Sequence, residues 1–261
     1  MNTPKGYVDT EYLKSVGNFL GSLKKRTYEC MQIKAGDKVL DVGSGSGIDT
    51  IALSQIVGST GQVFGVDYDK NMVAESEQCA EKEGVSAWVK HKQADATLLP
   101  FDTGYFDSCR SERLFQHLSN PAMALNEMAR VTKTGGTVVI LDTDWGTLSI
   151  DTNEFAIERK LVRFHTENML NNGYSGRQLY RLFREQGLRN VSFEVFPLVV
   201  TSYAFLRQII SADKLEKEAL AKNIVTEVEL RRYQKDGEQA DVNGMFFSSC
   251  SMMLASGQKT S

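Results

Sequence analysis

Lys38-Val-Leu-Asp-Val-Gly-Ser-Gly-Ser-Gly47 is the stretch on which the fold turns. Its first five residues form a short, mostly apolar run, which reads as a buried strand rather than a helix. Gly43, Gly45 and Gly47 then let the backbone bend sharply and leave it uncovered by side chains. Ile51, Leu53 and Ile56 follow at helical spacing and stop at Gly58. The unit is strand, glycine loop, helix.

Outward from it the same grammar repeats. Gln62 to Val66 is a second strand ending at Asp67, and a helix over residues 71–82 closes at Gly84, a good left-handed cap. A third strand is expected over Ser86 to Lys90 and a fourth over Phe106 to Arg110. Asn120-Pro121 has the form of an N-cap followed by proline at the first helical position, ahead of Met123, Leu125, Met128 and Val131. Thr137 to Leu141 is an unbroken apolar fifth strand, as expected when both faces are covered. Strands alternating with helices predict an α/β fold with a doubly wound parallel sheet and right-handed crossovers.

Three segments break the rhythm. Leu13, Val16, Phe19, Leu20 and Leu23 predict an N-terminal helix. Residues 142–174 are too long for an ordinary connection and carry their own helix, with Asp151 and Glu154 placed as a cap pair and Phe155, Leu161, Val162 and His165 along one face. Ser202 to Gln234 reads as one or two helices, and Met245 to Ala255 as a final strand. The expected plan is a single domain over residues 1–261, with an N-terminal helical cap over 1–30 and cap insertions at 143–174 and 198–242 over a crevice.

Composition narrows the trade. The chain has 261 residues, 41% apolar and 24% charged, with 30 Lys and Arg against 33 Asp and Glu, a net charge of −3. A slightly acidic chain lacks the positive field that holds a phosphate backbone, so no nucleic-acid partner is expected. No stretch approaches the roughly 18 apolar residues of a membrane span, and the start lacks the apolar core of a secretory signal. Cys30, Cys79, Cys109 and Cys250 lie far apart without a CxxC, which fits reduced thiols and a cytoplasmic setting. A homodimer is compatible with this composition.

The loop excludes two nucleotide classes. A dinucleotide fingerprint needs a glycine at position 48, where Ile48 stands, and no Gly-Lys-Ser/Thr follows for a P-loop. Asp41 places a carboxylate beside the loop, which repels phosphate and attracts a cation. Asp67, 26 residues further on, is placed to accept from a ribose diol. Asp95, after the third strand, is suited to accept from an exocyclic adenine amine; for Asp41 and Asp95 alike, capping the following helix is the competing use. Three acids at successive strand ends, with no basic clamp, describe a phosphate-free adenosine that carries positive charge.

Val39-Leu-Asp-Val-Gly-Ser-Gly-Ser-Gly47, Val63-Phe-Gly-Val-Asp67, Gln93-Ala-Asp-Ala-Thr-Leu-Leu-Pro-Phe101, Phe106-Asp-Ser-Cys109 and Gly135-Gly-Thr-Val-Val-Ile140 together resemble class I S-adenosylmethionine-dependent methyltransferases, nearest the ubiquinone/menaquinone-biosynthesis-like, small-molecule group. The resemblance covers about Lys38 to Asp142. It implies a Rossmann-like seven-stranded sheet whose last strand is antiparallel, and S-adenosyl-L-methionine as cofactor. It implies that Asp41 with Gly43, Gly45 and Gly47 holds the methionine part and that Asp67 takes the ribose hydroxyls. Tyr68 and Met72 would flank the adenine, Asp95 and Ala96 would bind its edge, and Arg110 and Ser111 would line the methionine end. Arg110-Ser-Glu-Arg113 stands where members acting on nucleobase or amide nitrogens carry Asn/Asp-Pro-Pro-Tyr, which argues for another acceptor on O, N or C.

A sulfonium methyl is already activated, so the protein's task is alignment and exclusion of water. His117 and Glu112 are the candidate bases for the acceptor proton. A loop hydrogen bond for His117, and a salt bridge from Glu112 to Arg110 or Arg113, are the competing uses. Asp144 and Trp145 are the candidate acceptor-binding residues, Trp145 by stacking. Glu112, Asp142 and Asp144 do not have the spacing of a recognisable ligand set, so no metal is expected. The alternatives are a nicotinamide-dependent oxidoreductase and a non-catalytic S-adenosylmethionine-binding protein; the acceptor is a small molecule in the first reading.

Overall fold

The computed structural model describes residues 20–260. The expected N-terminal helix begins at Leu13 and so lies partly outside the described residues. Within them, α1 (Gly21–Met31) leads into β1 (Lys38–Val42), the glycine loop and α2 (Ile48–Val57), then β2 (Gln62–Asp67) and α3 (Lys70–Lys82). β3 (Val89–Gln93), β4 (Phe106–Glu112), a short 3-10 turn at Phe115–His117, α4 (Pro121–Val131) and β5 (Thr132–Ile150) follow. α5 (Phe155–Phe164) runs into a π-helical turn at His165–Met169, then α6 (Ser175–Glu185), β6 (Arg189–Val200), α7 (Tyr203–Ile209), α8 (Ala212–Ala221), α9 (Glu227–Val242) and β7 (Ser248–Gln258).

The seven strands form one sheet in the order β3-β2-β1-β4-β5-β7-β6, and β7 runs antiparallel to both neighbours. This is the doubly wound, Rossmann-like plan with an antiparallel last strand. The order reverses direction between β1 and β4, so the crevice above their C-terminal ends is where such sheets bind ligands. Alternation along β1 sends Val39 to one face and Leu40 and Val42 to the other. α1, α2 and α3 cover the first face, α4 and α6 the second. A third apolar cluster joins Trp145, Leu148 and Ile150 of β5 to α5 and α7–α9, forming the helical cap.

The structure moves several boundaries. The third strand starts at Val89, three residues late, because Val85 to Trp88 form a turn in which Trp88 N and Val89 N both donate to the Val85 carbonyl. β3 is an edge strand that buries only Val89 and His91, so its polar sequence hid it. β5 continues to Ile150 instead of ending near Leu141, because residues 142–144, 149 and 150 keep pairing with β7. The expected Asp151–Glu154 cap is not formed: α5 has no side-chain cap, and the Glu154 carboxylate reaches Arg232 instead. Ser202 to Gln234 yields three helices where one or two were expected, α9 beginning with a full Thr226–Glu229 capping box.

Candidate active site

The crevice holds a cavity of about 320 Å³. One end is built by the glycine loop with Asp41, Asp67 and Met72, the other by Glu112, His117, Trp145 and His165 under the cap. Gly47 begins α2 in the left-handed region, at φ 84°, and a Cβ there would lie 2.8 Å from Ser76 Cβ. The loop is braced from outside by Asp67, whose Oδ2 accepts from Gly45 N at 2.9 Å while Oδ1 accepts from Asp69 N. Burial pushes the Asp67 carboxyl above its ordinary range, the backbone donors only partly offsetting it. The Ser44 hydroxyl, on the cavity wall, is buried with no hydrogen-bond partner among the described residues. A buried donor left in that state calls for a ligand atom or a water.

Arg110 is fully buried, and register explains why it can be: its Cα faces that of Asp41 across β1 and β4. Its Nη1 lies 3.1 Å from Asp41 and 3.2 Å from Asp49, and its Nη2 donates to Glu112 at 2.9 Å. Lys24 of α1 adds a second cation, 2.5 Å from Asp49 and 3.1 Å from Glu112, while the Tyr28 hydroxyl donates to Asp49. Burial pushes Asp41 up to about 7, against the pull of Arg110. Burial acts the same way on Asp49, but Arg110 and Lys24 together hold it well below the carboxylate range. Sequence reasoning missed Lys24, Tyr28 and Asp49. Their signal was present: Lys24 and Tyr28 stand four apart on one helix face, and Asp49 is two residues past the last loop glycine.

At the other end, Glu112 has both oxygens engaged, by Arg110, Lys24 and Arg113. It is an anchor for cations in this arrangement. Gln116 links the cap to His117. The indole Nε1 of Trp145 can only donate, and it donates to Gln116 Oε1 at 2.6 Å, which fixes the amide orientation. Gln116 Nε2 then donates to the Arg113 carbonyl and lies 3.2 Å from His117 Nε2, which must accept there. This places the His117 proton on Nδ1. His165, on the π-helical turn, packs edge-on against Trp145 at 4.9 Å, and its Nδ1 is buried without a partner. Burial holds its pKa down to about 4, so the ring is neutral near pH 7.

Of the residues singled out in the sequence, Asp41, Gly43, Gly45, Asp67, Met72, Arg110, Glu112, His117 and Trp145 share this one cavity wall. Tyr68, Asp95, Ala96, Ser111 and Asp144 do not border it. Tyr68 is two-thirds exposed, and Asp95 accepts from Thr97 N and Oγ1, holding a turn where no helix follows. Ser111 Oγ donates to the Val42 carbonyl and ties β4 to β1. Asp144 is buried in a bond from Arg177 Nε at 2.5 Å, with Gly146 N donating to its other oxygen. Asp142 holds the turn before His117 instead, accepting from Phe115 N, Gln116 N and Ser175 Oγ. Among the described residues no group of three His, Cys, Asp or Glu side chains is placed to hold a metal ion.

A sheet of this order with a glycine loop and acids at its switch point has the Rossmann-like fold found in methyltransferases, and comparison with known proteins agrees. The family model described as a methyltransferase domain matches residues 40–140. An uncharacterized 37.1 kDa protein in transposon Tn4556 of Streptomyces fradiae is 32% identical, over 74% of this chain and 54% of that one. The demethylmenaquinone methyltransferase of Staphylococcus aureus (strain MRSA252) is 40% identical over 53% of this chain and 56% of its own length. The chain thus spans about half the length of the curated relatives it matches. The YcgJ protein of Bacillus subtilis superposes with a TM-score of 0.65 at 23% identity, over 94% of this chain and 99% of that one. Residues 40–140 thus match a methyltransferase domain, and the chain is similar in sequence to demethylmenaquinone methyltransferases over about half its length.

Proposed function

We propose that the protein transfers a methyl group from S-adenosylmethionine to a small-molecule acceptor. The observation that carries the reading is a single cavity in which the glycine loop, Asp41 and Asp67 face a second end lined by His117, Trp145 and His165. The donor set fits the cofactor: carboxylates and backbone amides, with Lys24, Arg110 and Arg113 tied to Asp41, Asp49 and Glu112 rather than free to clamp a phosphate, and the Ser44 hydroxyl on the wall without a partner among the described residues. Asp67 would bind the ribose diol, Met72 the adenine, and Asp41 with the loop the methionine portion. When bound, the cofactor supplies an electrophilic methyl whose sulfonium charge disperses as the new bond forms. The chain's part is to hold the acceptor in line against Trp145 under the cap, to exclude water, and to receive the acceptor proton.

His117 is the proposed base, acting at Nε2 once the contact with Gln116 opens. His117→Ala is expected to slow turnover far more than it weakens S-adenosylhomocysteine binding, and an unchanged rate removes it from the role. The acceptor for that assay comes from a labelled-methyl transfer screen on metabolite extract. We infer a cytoplasmic setting from the four cysteines, all of them free thiols. No helix among the described residues is long and apolar enough to cross a membrane. Calorimetry with S-adenosylhomocysteine and with NAD tests the whole reading: binding of the first and not the second is expected. The reverse result would assign a nicotinamide-dependent oxidoreductase.

A further inference from the structure

One wall of the donor end comes from outside residues 40–140. Lys24, on α1, is buried and borders the cavity, its Nζ between Asp49 and Glu112. The ion group around it holds Lys24, Arg110 and Arg113 against Asp41, Asp49 and Glu112, a balance of charge when all six are ionised. The cations are not shared evenly. Glu112 meets all three, at 3.1 Å from Lys24, 2.9 Å from Arg110 and 3.3 Å from Arg113. Asp49 meets Lys24, Arg110 and the Tyr28 hydroxyl. Among the described residues Asp41 has only Arg110 Nη1, which it shares with Asp49.

We propose that Lys24 is a specificity-determining residue of the donor site: by neutralising Asp49 and Glu112 it leaves Asp41, on the cavity wall, as the carboxylate of this group with the fewest cation partners, and so sets how strongly the site prefers the charged donor to its spent product. The inference rests on the methyltransferase reading. S-adenosylmethionine and S-adenosylhomocysteine differ by a methyl group and by the positive charge on sulfur, so the charge of the surrounding wall is what separates their affinities. A site stripped of Lys24 gains one negative charge. It then stabilises the sulfonium of the bound donor more than the transition state, in which that charge is already dispersing. Tighter donor binding of this kind slows the chemical step, and a resident ammonium prevents it. Arg110 cannot supply the same correction alone, because its two terminal nitrogens are already divided among three carboxylates. Among the described carboxylates the partly exposed Arg113 reaches only Glu112.

Calorimetric affinities for S-adenosylmethionine and S-adenosylhomocysteine, measured on the full chain, test this. Lys24→Met is expected to raise the preference for the donor over the product by about tenfold, the scale of one unit charge about 12 Å away in a partly buried site. Lys24→Arg should restore a preference near that of the wild type. Asp49→Asn removes a negative charge from the same group and should shift the preference the opposite way. A purely structural role would weaken both ligands in step, and a ratio unmoved in both variants, or moved the same way in both, overturns the proposal. Should Lys24→Met fail to fold, Asp49→Asn decides alone, and a ratio that does not fall overturns it. A wild-type chain that binds neither ligand refutes the methyltransferase reading itself, and this inference with it; normal wild-type binding with an unmoved ratio refutes only the role of Lys24.

Discussion

Arg110→Met is expected to cost about 3 kcal/mol or more of folding stability, because it leaves three carboxylates without their central cation in a dry site. Arg110 is wholly buried and its terminal nitrogens serve Asp41, Asp49 and Glu112 together. Methionine fills the volume and carries no charge, so the loss is electrostatic rather than a cavity. The pH dependence has a definite sign. Asp41 is already raised from 3.8 to about 7 with Arg110 in place, and the variant removes the strongest pull against burial. A carboxyl with a raised folded pKa is destabilising once the unfolded chain ionises, so stability is lost as pH rises from about 4 through the folded value. Urea denaturation of the variant at about pH 5.5 and about pH 8 should therefore show the larger deficit at the higher pH. Equal deficits at both would mean that the carboxylates find other partners.

That cluster also marks the limit of what the sequence discloses. Asp41, Gly43, Gly45 and Asp67 were legible because their chemistry is local: a loop and the strand ends beside it are set by neighbours in the chain. Five of the strands were placed for the same reason, since runs such as Val138 to Leu141 are apolar on both faces. Arg110 was read as a residue lining the methionine end, but its bond to Asp41 depends on the β1/β4 register, which no short-range pattern encodes. Lys24 comes from a helix whose target face was open, so its insertion among acids of three other segments was invisible. Asp144 and Trp145 are adjacent in the chain yet diverge, one to Arg177 and the other to the cavity, because successive residues on a strand point to opposite faces. Asp95 holds its own turn through Thr97, a local bond that neither the helix-capping nor the adenine reading of the sequence had foreseen.

Asp67→Ala is expected to weaken S-adenosylhomocysteine binding by about a hundredfold while leaving the fold in place. The carboxylate stands at the end of β2 with one oxygen on Gly45 N and the other on Asp69 N, and each oxygen keeps a lone pair for a further donor on the cavity side. Two ribose hydroxyls donating there make charge-assisted bonds of about 1.5 kcal/mol or more apiece, which together account for the expected loss. Folding stability should move much less, since the same truncation also removes a carboxylate whose burial already pushes its pKa upward. Two consequences separate the ribose role from simple bracing of the loop. Asp67→Asn can accept from only one of Gly45 N and Asp69 N and sets an amide donor against the other; with its oxygen on Gly45 N that amide keeps its protection from exchange, so lost affinity without faster Gly45 exchange marks the ribose role and not the brace. Adenosine alone should lose affinity in the alanine variant as the full ligand does, because the hydroxyls in question lie on that half of the molecule. Wild-type affinity for either ligand in Asp67→Ala would take the ribose assignment away from this residue.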